Sequence, residues 1–349
     1  MNIIISPIFN QYMAGRIWMG LDIQVFEKHL KNLGWNTQII SFNNLVENID
    51  DIAKNCVLFY SSIYNPDYLK YIQDTILLIN QYRPDIQVIP SYNQLHSLDN
   101  KGYQEYMKKV LNIERVNGKY YGDINDLLLE KETLEYPFVL KENKGALSSG
   151  VHLIKSNVEL IKIQKKLKKR SIKEKLALEL NRKNSFKKDL NLDPPLHLYK
   201  ENFNSFFEKR TPVITQEFIP NLKFDYKVLQ FGDKYYSLKR FTRENDFRAS
   251  GSGKVSFEET PEVVLNYAKQ IVDKLETPFV SLDIGIDSEE NCYLFEFQGT
   301  GFGPLTLTKS EFYYQFKNGN WVKTNANSKL EIEYANAINY FAKTSNENN

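Results

Sequence analysis

Two acidic strands hold the residues best placed to do chemistry. Asp283 sits in the apolar run SLDIGID, and Glu296 sits thirteen residues on in YLFEFQG, with a polar turn at 287–291 between them. If the runs pair as a hairpin, both carboxylates can face one side. Gln298 then shares the face of Glu296, because side chains repeat every second residue. Two carboxylates and an amide oxygen form a hard, oxygen-only donor set, suited to Mg²⁺ bridging nucleotide phosphates. The alternatives are a structural salt bridge or sheet-edge charges, and because unpaired carboxylates in such apolar strands would be costly, metal binding is the favoured reading.

A second constellation is PFVLKENKGALSSGV, residues 137–151. A strand ends on Lys141, and Lys144, Gly145, Ser148, Ser149 and Gly150 form a small-residue loop before the next strand. Glycines let a backbone approach phosphates and aim N–H groups at them, while a strand-borne lysine supplies fixed positive charge. A plain glycine-rich hairpin would read the same way. The third is residues 225–253, with Lys227, Lys239, Arg240, Arg243 and Arg248 and a Gly/Ser loop. Arginine forks suit carboxylates or phosphates, although a basic strand alone is usually a solvated face. Neither G-x-x-x-x-G-K-[ST] nor a G-x-G-x-x-G after the first strand occurs.

These residues need elements to hold them. Residues 2–5, 37–42, 57–60 and 86–89 read as strands, and 21–33 and 68–82 as helices. That alternation predicts a small parallel α/β domain at 1–97. Residues 98–212 form a second region, with a helix at 103–110, strands at 136–140 and 151–154, and a basic stretch at about 157–210. Asn191 to Tyr199, with Pro194-Pro195, must end the basic helix. Residues 213–349 are strand-dense, with FGDK (231–234) as a hairpin turn. Thr260 reads as the N-cap of a helix with Pro261 at its first position, and 332–342 as a last amphipathic helix before a polar tail.

The 349 residues, 42% hydrophobic and 25% charged, are ordinary for a soluble globular protein of two or three subdomains. No stretch is long and apolar enough to cross a membrane, and the start lacks a basic n-region, so a cytoplasmic location is expected. The two cysteines, Cys56 and Cys292, cannot build a disulfide framework, and the four histidines have no zinc-like spacing. The net charge of +2 hides an asymmetry. Residues 162–188 hold twelve lysines and arginines against Glu174 and Glu179, leaving the rest acidic. That stretch suits an anionic partner or, with Phe186 its one aromatic and so little for bases to stack on, a solvated helical insertion.

In this order the three constellations resemble the ATP-grasp superfamily, in particular the branch with glutathione synthetase and the ribosomal-protein glutamate ligases. The resemblance spans residues 98–306. It implies an α/β (α+β) fold with a pre-ATP-grasp domain and two α+β subdomains clasping ATP. Gln216, Glu217, Phe218 and Ile219 look like the adenine-binding hinge, and Lys141 and Lys101 like the phosphate lysines. Asp225 and Lys227 resemble an Asp-x-Arg strand start, Arg240 the catalytic arginine, and NDFRASGSG the G-D-F-R-x-N segment that contributes Arg248. Asp283, Glu296 and Gln298 fall on the metal positions. Gln298 departs from the usual Asn, and Ser250 replaces the Asn of the arginine segment.

The activity implied is ligation through an acyl phosphate, with ATP and one or two Mg²⁺ (or Mn²⁺). The loop from Lys144 to Gly150 would close as a lid, and Arg240 with Arg248 would hold the acyl phosphate until an amine displaces phosphate. The partners implied are a small-molecule, peptide or glycan-linked carboxylate and an amine acceptor; a homodimer stays open. A kinase on the same fold and a non-catalytic nucleotide-binding protein remain alternatives.

Overall fold

A computed structural model of the chain describes residues 1–8, 12–13, 20–61, 65–113, 116–145, 149–189, 201–203, 205–244 and 246–347. These form two compact units, one of residues 1–117, 144–149 and 219–349, the other of 118–143 and 150–218.

The first unit begins with the parallel α/β layer expected at the N-terminus. Strand β1 (Asn2–Ser6) is followed by the short pair β2 (Tyr12–Met13) and β3 (Gly20–Leu21), helix α1 (Ile23–Asn32) and β4 (Asn36–Ile39). Then come β5 (Val57–Tyr60), α2 (Pro66–Tyr82), β6 (Gln87–Ile89), α3 (Tyr92–His96) and α4 (Lys101–Val110). The sheet order is β4-β1-β5-β6, with every pair parallel. Ile3, Ile4 and Ile5 are buried in succession, as a central parallel strand covered on both faces requires. Asp22 caps α1 through Gln24 N and Val25 N, and Asn65 caps α2 ahead of Pro66.

The second unit holds β7 (Gly118–Tyr121), α5 (Ile124–Leu129), β8 (Phe138–Glu142), β9 (Val151–Ile154), α6 (Asn157–Lys168), α7 (Ile172–Asp189) and β10 (Val213–Glu217). Its sheet is antiparallel, in the order β7-β10-β8-β9. Phe138, Leu140, Ile154 and Val213 meet Leu160 and Leu167 of α6 in its core. The basic stretch is thus two helices, divided at 169–171, rather than one. Lys168 is not a solvated charge. Its ammonium lies 2.7 Å from Asp123, 3.2 Å from Glu208 and 2.7 Å from the Lys209 carbonyl, and so ties α6 to the start of α5. The break expected at 191–199 lies outside the described residues.

The chain returns to the first unit with β11 (Phe224–Phe231), β12 (Lys234–Phe241), β13 (Val255–Ser256) and α8 (Glu262–Leu275). It continues through β14 (Phe279–Ile286), β15 (Cys292–Gln298), α9 (Leu305–Lys309), β16 (Phe312–Lys317), β17 (Asn320–Asn325) and α10 (Leu330–Glu347). The antiparallel sheet runs β15-β14-β11-β12-β16-β17, with β13 on β12. One face packs on α8 through Tyr226, Val228, Val280 and Leu282. The other face meets the N-terminal sheet: Phe59, Phe231, Phe279, Phe302 and Tyr334 form one buried aromatic cluster, with Phe279 and Tyr334 rings 4.8 Å apart.

Helix α8 starts one residue later than expected. Thr260 does not cap it; its N–H donates to Tyr314 Oη, and its hydroxyl is buried with no partner among the described residues. Pro261 takes the cap position, its carbonyl accepting from Val264 and Leu265.

The β14–β15 hairpin contains the detail on which the site depends. Asp283 pairs with Glu296 but Ile284 pairs with Leu294, so Phe295 is a one-residue bulge. Before the bulge, Cys292 and Leu294 point toward α8; after it, Phe297 does. The shift in parity turns Glu296 and Gln298 to the face of Asp283. Gly285 makes room for it, since a Cβ there would stand 2.6 Å from the Phe295 ring. Gly285→Val should therefore cost about 1–3 kcal/mol in urea unfolding; an unchanged midpoint would mean that the Phe295 ring moves aside freely.

Candidate active site

The site grows from alternation along three neighbouring strands. On β11, Asp225 and Lys227 lie on the face opposite α8, and register places Asp225 across from Arg240 on β12 and Lys227 across from Asp283 on β14. Four charges thereby meet in a largely buried patch. Arg240 Nε and Nη2 donate to the two oxygens of Asp225 at 2.7 and 2.8 Å, a bidentate fork. Nη2 also lies 2.9 Å from Asp283 Oδ2, and Lys227 Nζ donates to Asp283 Oδ1 at 3.3 Å. Among the described residues Arg240 Nη1 has no acceptor. Arg240 and Asp225 are only 9% and 8% exposed, so these ions survive burial through mutual pairing.

The electrostatics follow. Burial works against ionisation of Asp283, but the Arg240 and Lys227 charges outweigh it and hold the carboxyl at about 2. Burial pushes the Asp225 carboxyl up, with Arg240 offsetting only part of the effect. Burial also opposes the Arg240 charge, yet the two carboxylates hold its pKa above the ordinary arginine value.

Beside this network, Glu296 and Gln298 are half-buried, and neither side chain has a hydrogen-bond or ion-pair partner among the described residues. No three His, Cys, Asp or Glu side chains cluster as a metal set among those residues. A divalent cation here would rest on Asp283, Glu296 and Gln298 Oε1. That donor chemistry fits a hard ion. Each Asp283 oxygen already accepts from one cation, which leaves the Glu296 carboxylate as the uncommitted anion.

Lys101, the first residue of α4, sends its ammonium to the Gly145 carbonyl, while Gly145 N donates to Asp99 Oδ1 at 3.0 Å. Lys144 and Ser149 are exposed beside it, and Ser148 lies outside the described residues. Gly145 and Gly150 have φ of +117° and +70°, which side chains rarely adopt. In the second unit, Val139 of β8 pairs with Gln216 of β10, and Lys141 with Ile214. Lys141 and Gln216 thus share the sheet face turned away from α6, among Val139 and Ile214. Glu217 is exposed at the end of β10; the half-buried Phe218 and Ile219 carry the chain from one unit into the other.

Arg248 has its own carboxylate partner. Asp246, two residues back, grips it through Nε and Nη2 at 2.9 and 2.6 Å. The carbonyl of Ser250 accepts from Arg243 at 3.0 Å. One supporting residue was invisible in the sequence. Gln104 of α4 donates to the Ser97 carbonyl at 3.1 Å and accepts from Phe297 N at 3.4 Å, tying α4 to the strand between Glu296 and Gln298. No local pattern marks a contact across 193 positions.

A parallel α/β layer followed by two antiparallel sheets, with this arrangement of strands, is the ATP-grasp fold. Among solved structures, the D-alanine–D-alanine ligase of Bacillus anthracis is 15% identical, with 99% of this chain and 98% of that one covered and a TM-score of 0.50. The D-cycloserine synthetase DcsG is 8% identical over 98% and 100%, with a TM-score of 0.53. The macrocyclase MdnC of Microcystis aeruginosa, bound with the precursor peptide MdnA, is 9% identical over 97% and 98%, with a TM-score of 0.50. No family model and no curated protein matches the chain. No described helix is long and apolar enough to cross a membrane, and both cysteines are buried and outside any disulfide.

Arg240→Met should destabilise the protein by about 3–5 kcal/mol at neutral pH, because it strands Asp225 in a buried patch and leaves Asp283 with Lys227 alone. A urea titration reads this directly, and a loss below about 1 kcal/mol would mean that the patch is hydrated. The acid limb follows from Asp283, whose folded value of about 2 lies below the unfolded value, about 3.9. Its contribution is complete above about pH 4 and fades as pH falls through about 2. The Tm gap between wild type and Asp283→Asn should narrow over that window; a constant gap would contradict the assignment.

Proposed function

We propose that the chain is an ATP-dependent ligase that activates a carboxylate as an acyl phosphate and couples it to a nucleophile, an amine in the first instance. The observation that carries this is Glu296, uncommitted, opposite Asp283 and sharing a face with Gln298, beside an arginine with Nη1 free of described acceptors. The fold is that of solved ligases, including D-alanine–D-alanine ligase and a peptide macrocyclase.

In this reading Asp283, Glu296 and Gln298 hold Mg²⁺, which neutralises charge on the nucleotide's β- and γ-phosphates when bound. Lys141 meets phosphate oxygens, and Gln216 to Ile219 meet the adenine. Lys101, through the Gly145 carbonyl, fixes the start of the loop at 144–150. The substrate carboxylate attacks the γ-phosphorus in line while ADP leaves, a step that needs positioning and charge neutralisation more than covalent help. Arg240, oriented by Asp225, turns Nη1 toward the acyl phosphate. The amine then displaces phosphate, which carries away the negative charge. Arg248 stays with Asp246 unless substrate draws it out, so it is assigned a secondary role. The acid and amine are a small molecule or a peptide terminus.

Screening carboxylate and amine pairs for ADP release tests the proposal, with hydroxylamine as a trap. A hydroxamate from the accepted acid is expected; a phosphorylated alcohol without hydroxamate would make the protein a kinase. With an accepted pair, Glu296→Ala should lower ADP release at least about a hundredfold, since a metal clamp contributes several kcal/mol. Near-normal turnover would remove Glu296 from the metal site.

A further inference from the structure

Gln298 differs from the other two members of the proposed metal set in what its side chain offers. A carboxylate presents two equal oxygens, whereas a primary amide has an oxygen on one side and two N–H donors on the other. Turned the wrong way, it would aim N–H groups at a cation. The backbone around Gln298 is held on both sides. Phe297 N donates to Gln104 Oε1 at 3.4 Å, and Gly299 abuts Gln94, where a Cβ would stand 2.6 Å from Cγ. The Gln298 amide itself has no hydrogen-bond partner among the described residues.

Strand register places a second unpaired group beside it. Ser281 of β14 pairs with Gln298 of β15. Side chains directly opposite in an antiparallel ladder share a face, with Cβ atoms about 4.5–5.5 Å apart. Ser281 is 1% exposed, yet its hydroxyl has no partner among the described residues. Unpaired buried hydroxyls are unfavourable and uncommon. The other neighbours of Ser281 on this face do not satisfy it. Leu229, opposite on β11, is apolar, and Phe279, two residues back, belongs to the aromatic cluster. Asp283, two residues on, already accepts from Lys227 at one oxygen and faces Arg240 with the other. The Gln298 amide remains, and rotation of its unheld side chain joins the two groups.

We propose that Ser281 is a positioning residue: its hydroxyl accepts from Gln298 Nε2 and so turns Oε1 toward the cation. This rests on the ligase reading, in which Gln298 is a metal ligand. The test is a Mn²⁺ titration of the full-length protein with a non-hydrolysable β,γ-imido analogue of ATP, free Mn²⁺ being read by its EPR signal. Ser281→Ala should weaken Mn²⁺ binding about tenfold or more, as loss of a ligand's orienting partner does. Its Tm should stay close to that of wild type, because an unpaired hydroxyl adds no bond to the fold. A carboxylate needs no such orientation, so in a Gln298→Glu background Ser281→Ala should change the affinity less than about threefold. Equal Mn²⁺ affinity of wild type and Ser281→Ala, or an equal loss in both backgrounds, would overturn the inference and leave the ligase reading standing. A wild-type protein that binds no Mn²⁺ with the nucleotide would overturn both.

Discussion

One guanidinium organises the candidate site. Arg240 is nearly buried and holds two carboxylates from two different strands, Asp225 by a fork and Asp283 by a single contact. Desolvating such an ion is unfavourable by several kcal/mol, and only close pairing offsets it. The requirement constrains its surroundings. The registers β11–β12 and β11–β14 must bring Asp225, Arg240 and Asp283 together, and Lys227 must add a second cation so that Asp283 remains ionised. A slip of one residue in either ladder would send half of these charges into the α8 core. The network therefore reports correct strand pairing.

Much of the fold was legible because the responsible forces are local. The isoleucine run of β1, the alternating strands of 213–298 and the period of α8 were visible as hydrophobic patterns, and β-turn chemistry marked FGDK. That Asp283 and Glu296 would share a face was also legible, but the route to it was not. Simple alternation puts Glu296 with Leu294, on the α8 side; the bulge at Phe295 reverses that, and it depends on space at Gly285, ten residues away in sequence. The same holds for Lys168, which reads as one more surface lysine until Asp123 and Glu208 arrive from elsewhere in the chain. Thr260 reads as a cap because of its type, and burial against Tyr314 overrides that preference.

The two units divide the candidate site residues in a way the linear order obscures. Lys141 and Gln216 belong to one and the charged network to the other, while Lys144, Gly145 and Ser149 fall in the same unit as the network despite lying between β8 and β9 in the chain. Gly145 lies one residue inside the segment 144–149 and Gly150 just past its end, and both take positive φ, which side chains rarely adopt.

The aromatic cluster of Phe59, Phe231, Phe279, Phe302 and Tyr334 has a consequence for how such a protein can diversify. Because the N-terminal layer and the strand-dense layer share this interior, the first hundred residues are not an interchangeable cassette. Recombination that imported a foreign N-terminal layer would have to bring a matching ring in place of Phe59, packed 6.2 Å from Phe279 and 6.0 Å from Tyr334. Loops and helix faces away from that seam are free of the constraint. Inherited change in this chain is therefore channelled toward its rim, and the interior partnership is passed on whole.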